Sequence, residues 1–571
     1  MRSAEASGTV MGGPRMAAFR NSWPGRVSVS MLVKAVAFGV LTHAIFHHAR
    51  PTAPLVPLLL TGCVLGWTLV SFLSAPWVAS EVALAFLTYV IALFASVAIY
   101  RLSPFHPLAG YPGPALAKVT KFWGAWNTWK GDQHHVWMRL HRKYGPFIRT
   151  GPNELSIVDV RAVVDVFGAG GIPKGEYYNS RRDPSVPQTL LAMSGEDHDN
   201  RRRLWNRGMS NESLVEYEGV VVKRAGQLVD RLREESRRGK NVVDIVQWIN
   251  FFTFDFMGDM AFGGGYNLLE EGRDEKGLWN TLNRFVLATA VVGHIPWAHD
   301  VLIKLPFVSH DLVAFRQIGQ KNAAARHQAG AEVKDLWYHL SDEAELEKTR
   351  PSVRDVIADG ALAMIAGADT TSSALSSFFY YMLCNPTYYQ RLRDEIDRVY
   401  PDGADATDTS KHDQLVWTDA NETLRIAPPL PTNGPRQVPY NSQGATIAER
   451  FVPPGTQVYV PPYILHRDPR FFSPSPDTFL PSRWLSAKDG APAGNVLDRT
   501  AFIPFSYGPA NCVGRQLARM EMRMVVSLLV QKFEFAFAEG FDREGWLGTV
   551  HDHLVSTRGP LMVRVTEREG A

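Results

Sequence analysis

Cysteine is scarce in this chain: Cys63, Cys384 and Cys512 are the only three in 571 residues. Odd in number and far apart, they exclude a disulfide framework and the CxxC spacing of a zinc site. Cys63 and Cys384 lie in apolar runs and read as small buried hydrophobes. An excess of one charge is lacking too. The formal net charge of +3 is too weak to suggest a nucleic-acid partner. There are no internal repeats and no low-complexity tract. "FGAGGIPKG" (residues 167–175) is glycine-rich, but it lacks the Gly-Lys-Ser/Thr ending of a phosphate loop and a following helix. A plain turn is expected there, and no flavin or nicotinamide motif appears elsewhere.

What is abundant is apolar sequence near the N-terminus. Residues 53–80 and 82–100 are uncharged runs separated by Glu81. Each is long enough for a bilayer core, which takes about 20 residues; a pair of buried core helices is the alternative. Residues 31–48 form a third apolar stretch, interrupted by Lys34, His43, His47 and His48. Its uncharged part, 35–46, is short for a crossing and suits a helix lying on the membrane surface. Two crossings would keep Arg2, Arg15, Arg20 and Arg26 on the cytosolic side with Arg101, Lys118 and Lys121. Next comes "RLSPFHPLAGYPGP" (101–114), a stiff proline-rich connector. The expected organisation is a membrane anchor over 1–100, with two spans or three, and one large unit over 101–571. That unit reads as mostly helical, with short strands such as "TQVYVPPYIL".

The third cysteine lies in "FSYGPANCVG" (505–514), and "RQLARMEMRMVVSLLV" follows at once as a helix. Unpaired N–H groups at a helix start favour a thiolate, the metal-binding form. A packed thiol is the plainer alternative. Phe505 could lie flat against a planar cofactor, and Gly508 and Gly514 would let backbone come close. With Cys512 these make Phe-x-x-Gly-x-x-x-Cys-x-Gly, which resembles the haem-ligand signature of the cytochrome P-450 superfamily.

Three further motifs follow that resemblance. "LAMIAGADTTSSALSSFFYYML" is an apolar helix with a polar knot at 367–373. Its threonines can bond the preceding turn and open the helix locally; alternatively, Asp369 caps a helix starting at Thr370. Ala366-Gly367-x-Asp369-Thr370-Thr371 is similar to the family's oxygen-activation motif. By that resemblance Thr370 would hold the activated oxygen, and Asp369 would feed protons through water. Glu422 and Arg425 share a helix face. So do Glu234/Arg237, Glu235/Arg238, Glu270/Arg273, Glu347/Arg350 and Glu395/Arg398, which read as solvated pairs. Only Glu422 is followed by "HRDPRFFSPSPDTFLPSRW". This looks like the family segment whose arginine, here Arg483, completes a buried structural triad, with Ser482 where an acid is usual. "GEDHDNRRRLWNRGMS" resembles the propionate-binding helix and offers His198 and Arg202, with Arg201, Arg203 and Arg207 left as a solvated basic patch for an acidic electron donor. Ala510 departs from the family, which often has arginine there; Arg436 matches another position that points at a propionate. The run "DQLVWTDANETLR" is short against the family's usual approach to Glu422, which leaves the start of that helix open.

The resemblance implies a mainly α fold with small β-sheets, a cytochrome P-450 domain behind N-terminal transmembrane helices. It implies haem b held by Cys512 and monooxygenation of a lipophilic substrate with O2. It also implies electrons from NADPH-cytochrome P-450 reductase or cytochrome b5. The domain would face the cytosol from the endoplasmic reticulum membrane, as in fungal microsomal members. Rivals are a relative that rearranges or dehydrates substrate without external electrons, and a non-catalytic haem-binding membrane protein. Residues 185–193, 363–370, 431–434 and 554–557 are expected around the pocket. They are apolar or small, which suits a steroid-, terpenoid- or polyaromatic-like molecule.

Overall fold

The computed structural model describes residues 29–49, 79–181, 186–237, 239, 241–299, 306–330, 334–418 and 421–568. The chain divides into two compact units, Met1–Tyr100 and Arg101–Ala571.

In the first unit α1 (Val29–Ala49) has 21 residues and α2 (Ala79–Leu102) has 24. At 1.5 Å per residue they are roughly 31 and 36 Å long, enough for a hydrocarbon core of about 30 Å. Both are apolar enough to cross a membrane. Length and composition therefore allow α1 a crossing as well as the surface position expected for 31–48. His43, which interrupts the apolar run, bonds Ser96 of α2 through Nδ1 at 2.8 Å, so its polar ring is satisfied between helices. At Gly39 a Cβ atom would lie 2.9 Å from Leu93 N, so the backbones nearly touch. The contacts advance together along both helices: Phe38 meets Tyr89, His43 meets Ser96, and His47 meets Tyr100. The two helices therefore run parallel. The span expected over 53–80 lies outside the described residues, except that Ala79 and Ser80 open α2.

The second unit is mainly helical with small sheets, the expected class. Strands β1 (Phe147–Gly151), β2 (Glu154–Ile157), β3 (Arg436–Gln437) and β4 (Gln457–Tyr459) form a sheet in the order β1-β2-β4-β3. β2 pairs parallel to β4 (Leu155↔Val458), and β3 antiparallel to it (Arg436↔Val458). The helices that build the site are α3 (Val160–Phe167), α4 (Gly195–Gly208), α5 (Ile245–Phe262), α6 (Leu278–Gly293), α7 (Val353–Cys384), α8 (Asn421–Ile426) and α9 (Arg515–Lys532).

α5 is apolar nearly all round ("IVQWINFFTFDFMGDMAF"), the pattern of a helix buried on every side. Asp244 caps its start by accepting from Val246 N, and Gly263, at φ 70°, ends it. It packs along α7 so closely that a Cβ on Gly367 would lie 2.4 Å from Met257 Sδ. α7 starts at Ser352, whose side chain accepts from Asp355 N, and runs 32 residues without a break. One apolar core surrounds α5, α7 and α9, and a second lines the four-stranded sheet. The segment before Cys512 joins them: Ala501 and Ile503 belong to the sheet core, while Phe505 and Val513 pack on the helical one.

Candidate active site

The Cys512 loop is a folded-back turn. Cys512 N donates to Phe505 O at 2.9 Å, and Asn511 N donates to Gly508 O at 3.1 Å. Gly508 has φ 70°, and a Cβ there would fall 2.0 Å from Phe167 O, so both its conformation and its contact exclude other residues. Thus "FGAGGIPKG" is a turn, as expected, and its first residue buttresses the cysteine loop. α9 begins at Arg515, just beyond Cys512. The helix start does not prevail over desolvation, though. Cys512 is open to the cavity, and desolvation by the protein around it raises its thiol above the ordinary range, against the opposing pull of the Gly514 N–H, Arg202 and Arg515. A metal deprotonates a coordinating thiol outright.

Cys512 lines one end of a cavity of about 960 Å³, together with Phe505, Gly508's neighbour Phe167, and Gly514. The Phe505 ring lies 5.7 Å from the Arg519 guanidinium. The same end gathers cations. Arg202 and His198 of α4 and Arg436 of β3 all line it, as does Lys174, which bridges to Arg436 by backbone pairing. Arg202 bonds only neutral groups: Asn206 Oδ1 at 2.9 Å, Asn511 O at 2.6 Å and Asn511 Oδ1 at 2.8 Å. Lys174 Nζ donates to Leu190 O at 3.0 Å. Among the described residues no carboxylate forms an ion pair with Lys174, Arg202 or Arg436. Burial and the two guanidiniums push Lys174 down to about 7, and burial lowers Arg202 and Arg436. Mutual repulsion without an anion is costly, so this end suits a buried dianion. Lys174 escaped the sequence reading; its signal was one lysine in a glycine-rich turn.

The other arginines of α4 are not a free basic patch. Arg201 pairs with Asp355 at 2.8 Å and Asp359 at 3.0 Å; Arg203 and Arg207 pair with Glu347 at 2.6 and 2.5 Å. Their charges are neutralised by residues some 140 to 158 positions away.

Asp369 lies in mid-helix, so the cap reading fails. Thr370 Oγ1 bonds Ala366 O at 2.6 Å, the predicted bond to the preceding turn, yet α7 stays continuous. Thr370 and Thr371 line the cavity. Asp369 does not: its carboxyl is 1% exposed, has no hydrogen-bond partner among the described residues and is pushed up to about 6 by burial, with Arg558 opposing. Opposite Thr371 stands Glu521 of α9, buried and cavity-lining, its carboxyl raised by desolvation and held back by the Thr371 hydroxyl. Glu521 was not foreseen, because a lone glutamate in an amphipathic helix looks solvated.

Glu422 is fully used. Arg425 Nε and Nη2 bind its two carboxyl oxygens at 2.8 Å each, and Arg483 Nε binds Oε1 at 3.1 Å. Leu480 N and Trp484 Nε1 add bonds at 2.7 and 3.0 Å. The residues 419–420 just before α8 lie outside the described residues. The other Glu/Arg spacings divide. Glu234 pairs with Arg231, and Arg237 with Glu567, near the surface. Glu347 instead holds the α4 arginines. Glu395 is no solvated pair either: it is buried and accepts from the N–H groups of Val416, Trp417 and Thr418.

A thiol, the Phe505 ring and an uncompensated cation cluster lining one end of the cavity fit haem, with its thiolate bond and two carboxylates. The family model described as "Cytochrome P450" matches residues 114–562. The chain belongs to the cytochrome P450 family. The "Cytochrome P450 monooxygenase orf5" of Eupenicillium brefeldianum is 33% identical over 489 residues, which are 84% of this chain and 95% of that one. The "Cytochrome P450 monooxygenase cpaH" of Aspergillus oryzae is 34% identical, over 82% and 91%. The "Tryprostatin B 6-hydroxylase" of Aspergillus fumigatus is 30% identical, over 86% of each. As a P450 monooxygenase this protein is an oxygen-incorporating oxidoreductase whose cofactor is haem-thiolate iron.

Proposed function

We propose that this P450 hydroxylates a bulky, multi-ring lipophilic molecule in fungal secondary metabolism, with electrons from an NADPH-dependent reductase. The cavity carries the reading: beyond the cation cluster its walls are supplied by Val186, Leu191, Phe285, Val292, Ile365 and Leu430, among others. Segments 186–192, 363–370, 433–434 and 554–555 all contribute, as does α6, whose role the sequence left unmarked; Ser185 lies outside the described residues. Walls of this kind reward apolar surface, and away from the cation cluster Arg284 and His299 are the few lining groups that could face a carboxylate tail. The similarity to a chain named for hydroxylating tryprostatin B supports hydroxylation as the reaction. A screen of hydrophobic ligands for displacement of haem-bound water tests this. Multi-ring compounds should bind tightest; tight binding by carboxylates alone would overturn it. Reductase-dependent NADPH consumption with a bound ligand separates this reading from a reductase-independent rearrangement and from a non-catalytic haem protein.

Thiolate-bound haem supplies the electron push for O–O cleavage. Cys512 would hold the iron, Phe505 and the Gly508 turn would pack against the ring, and Lys174, Arg202, His198 and Arg436 would hold the propionates. Thr370 lines the cavity with its hydroxyl bonded to Ala366 O, and the Asp369 carboxyl, pushed up to about 6 by burial, would supply protons from behind the helix. Thr370→Ala should keep haem and divert reducing equivalents into hydrogen peroxide. Asp369→Asn should slow turnover by about 10²-fold, the scale of a lost general acid, with the resting spectrum unchanged. Product-to-NADPH ratios and turnover rates check both.

The cations make a second test. Arg436→Ala and Lys174→Ala should each speed haem loss during mild denaturation, and the pair together more than either alone. Ala510→Arg, within the ligand loop two residues before Cys512, should partly restore retention. Unchanged haem loss in the double variant would remove both residues from the propionate site.

The anchor would sit in the endoplasmic reticulum membrane, with the catalytic unit cytosolic. If α1 and α2 both cross, their parallel packing puts the N-terminus on the luminal side, and the chain must return between them. Arg2, Arg15, Arg20 and Arg26 would then be luminal, against the usual bias. This three-crossing arrangement is the alternative to the two-span expectation, and the parallel packing of α1 and α2 supports it. A glycosylation acceptor inserted before Val29 should be modified; an unmodified site would restore the two-span scheme.

A further inference from the structure

His466 opens the "HRDPRFFSPSPDTFLPSRW" segment without a role assigned to it so far, yet it bridges two of the motifs. Its ring is fully buried in the segment after β4. Nδ1 lies 3.1 Å from Arg425 O, and Nε2 accepts from Ile503 N at 3.0 Å. A carbonyl on one side and an N–H on the other allow one arrangement only: neutral imidazole with the proton on Nδ1. Burial and the nearby guanidiniums of Arg425 and Arg467 hold the ring neutral, with its pKa lowered to about 3. The backbone of His466 is also engaged, since its carbonyl accepts from Arg425 Nη1 at 2.7 Å.

Each end of this bridge is anchored. Arg425 is clamped by Glu422 and by the carbonyls of Pro476 and Thr478. Ile503 opens the cysteine loop: its carbonyl accepts from Ser506 N at 3.0 Å, and Phe505 O, two residues on, accepts from Cys512 N. No side chain of Glu422, Arg425 or Arg483 bonds residues 503–512 directly in the described hydrogen bonds. The imidazole is the link between them. Phe472 and Phe502 flank it at centroid distances of 6.0 and 5.5 Å and keep water out.

We propose that His466 is a positioning residue: it carries the rigidity of the Glu422–Arg425–Arg483 cluster into the Cys512 loop and so keeps the cysteine in place as thiolate ligand. Without the ring, a buried N–H and a buried carbonyl lose their partners, and the loop gains freedom at the root of the ligand turn. A glutamine amide also presents one donor and one acceptor side by side, so it can restore part of the bridge. The proposal rests on Cys512 being the axial ligand.

The test uses the full-chain haem protein, reduced and saturated with carbon monoxide. The readout is the rate at which the red-shifted thiolate band converts to the unshifted thiol-type band in mild denaturant. His466→Ala should convert about tenfold faster than wild type, the effect of losing two buried hydrogen bonds in part, and His466→Gln should fall within about threefold. Leu232→Ala, a fully buried site on the helix Asn211–Arg237 outside the hydrogen-bond bridge, controls for general destabilisation and should leave the rate unchanged at matched stability. Equal rates in His466→Ala and wild type, or equal acceleration by Leu232→Ala, would overturn the role of His466. If the alanine variant yields no haem-loaded protein, the glutamine variant decides: a near-normal rate supports the bridge, and tenfold acceleration overturns it. Absence of a red-shifted band in wild type would instead overturn the assignment of Cys512, and this inference with it.

Discussion

Glu422→Ala should yield no haem-loaded protein. Five hydrogen bonds end on this carboxylate, from Arg425, Arg483, Leu480 N and Trp484. Both arginines are 0% exposed, and burial already lowers Arg483. Removing the one anion leaves two guanidiniums buried side by side. Breaking a buried pair from one side costs about 3–5 kcal/mol, a large part of the roughly 5–15 kcal/mol that holds a domain folded. Glu422→Gln keeps the shape and one acceptor oxygen but not the charge, so it should fold poorly rather than fail. Arg483→Lys keeps the charge without the planar fork that also reaches the Pro474 and Ser475 carbonyls at 3.1 Å, and should be intermediate. Haem-to-protein ratio and thermal unfolding measure the series. A Glu422→Ala protein with full haem and unchanged unfolding would show the cluster to be dispensable.

The parts of this site that could be read from the sequence are those whose chemistry is local. The cysteine, the glycine turn and the helix start lie within ten residues, and each residue type has a reason to be there. The mid-helix position of Asp369 was left open by the sequence, because an Asp-Thr pair serves equally as a cap; the continuous 32-residue helix from the Ser352 cap decides it. What stayed hidden depends on partners far along the chain. Arg203 looks solvated until Glu347 is brought to it, and Glu395 looks like a surface residue until the turn at 416–418 closes over it. Lys174, Glu521 and His466 are ordinary residues in ordinary local settings, and burial beside the cavity or the triad is what gives them meaning. The packing within the anchor was hidden for a similar reason. His43 and His47 look costly in a membrane helix, and only the parallel neighbour α2, with Ser96 and Tyr100, supplies their partners.

Cys512→Ala should abolish monooxygenation altogether, because the thiolate is the group that sets the iron's chemistry. Cys384 cannot replace it: it lies at the C-terminal end of α7 and does not line the cavity. The remaining contacts, with three cations at the propionate end and a largely apolar cavity lining, should still let the variant take up some haem, so loss of activity and loss of cofactor can be told apart. Cys512→His keeps a metal-binding side chain while replacing sulfur with nitrogen, and it changes only the ligand atom if the loop holds. The deciding measurement is the absorption spectrum of the reduced, carbon monoxide-bound full-chain protein. Wild type should show the red-shifted Soret band of thiolate ligation, and Cys512→His should move it to the position of imidazole ligation at comparable haem content. A red-shifted band that persists in Cys512→Ala or Cys512→His would contradict the account at its centre.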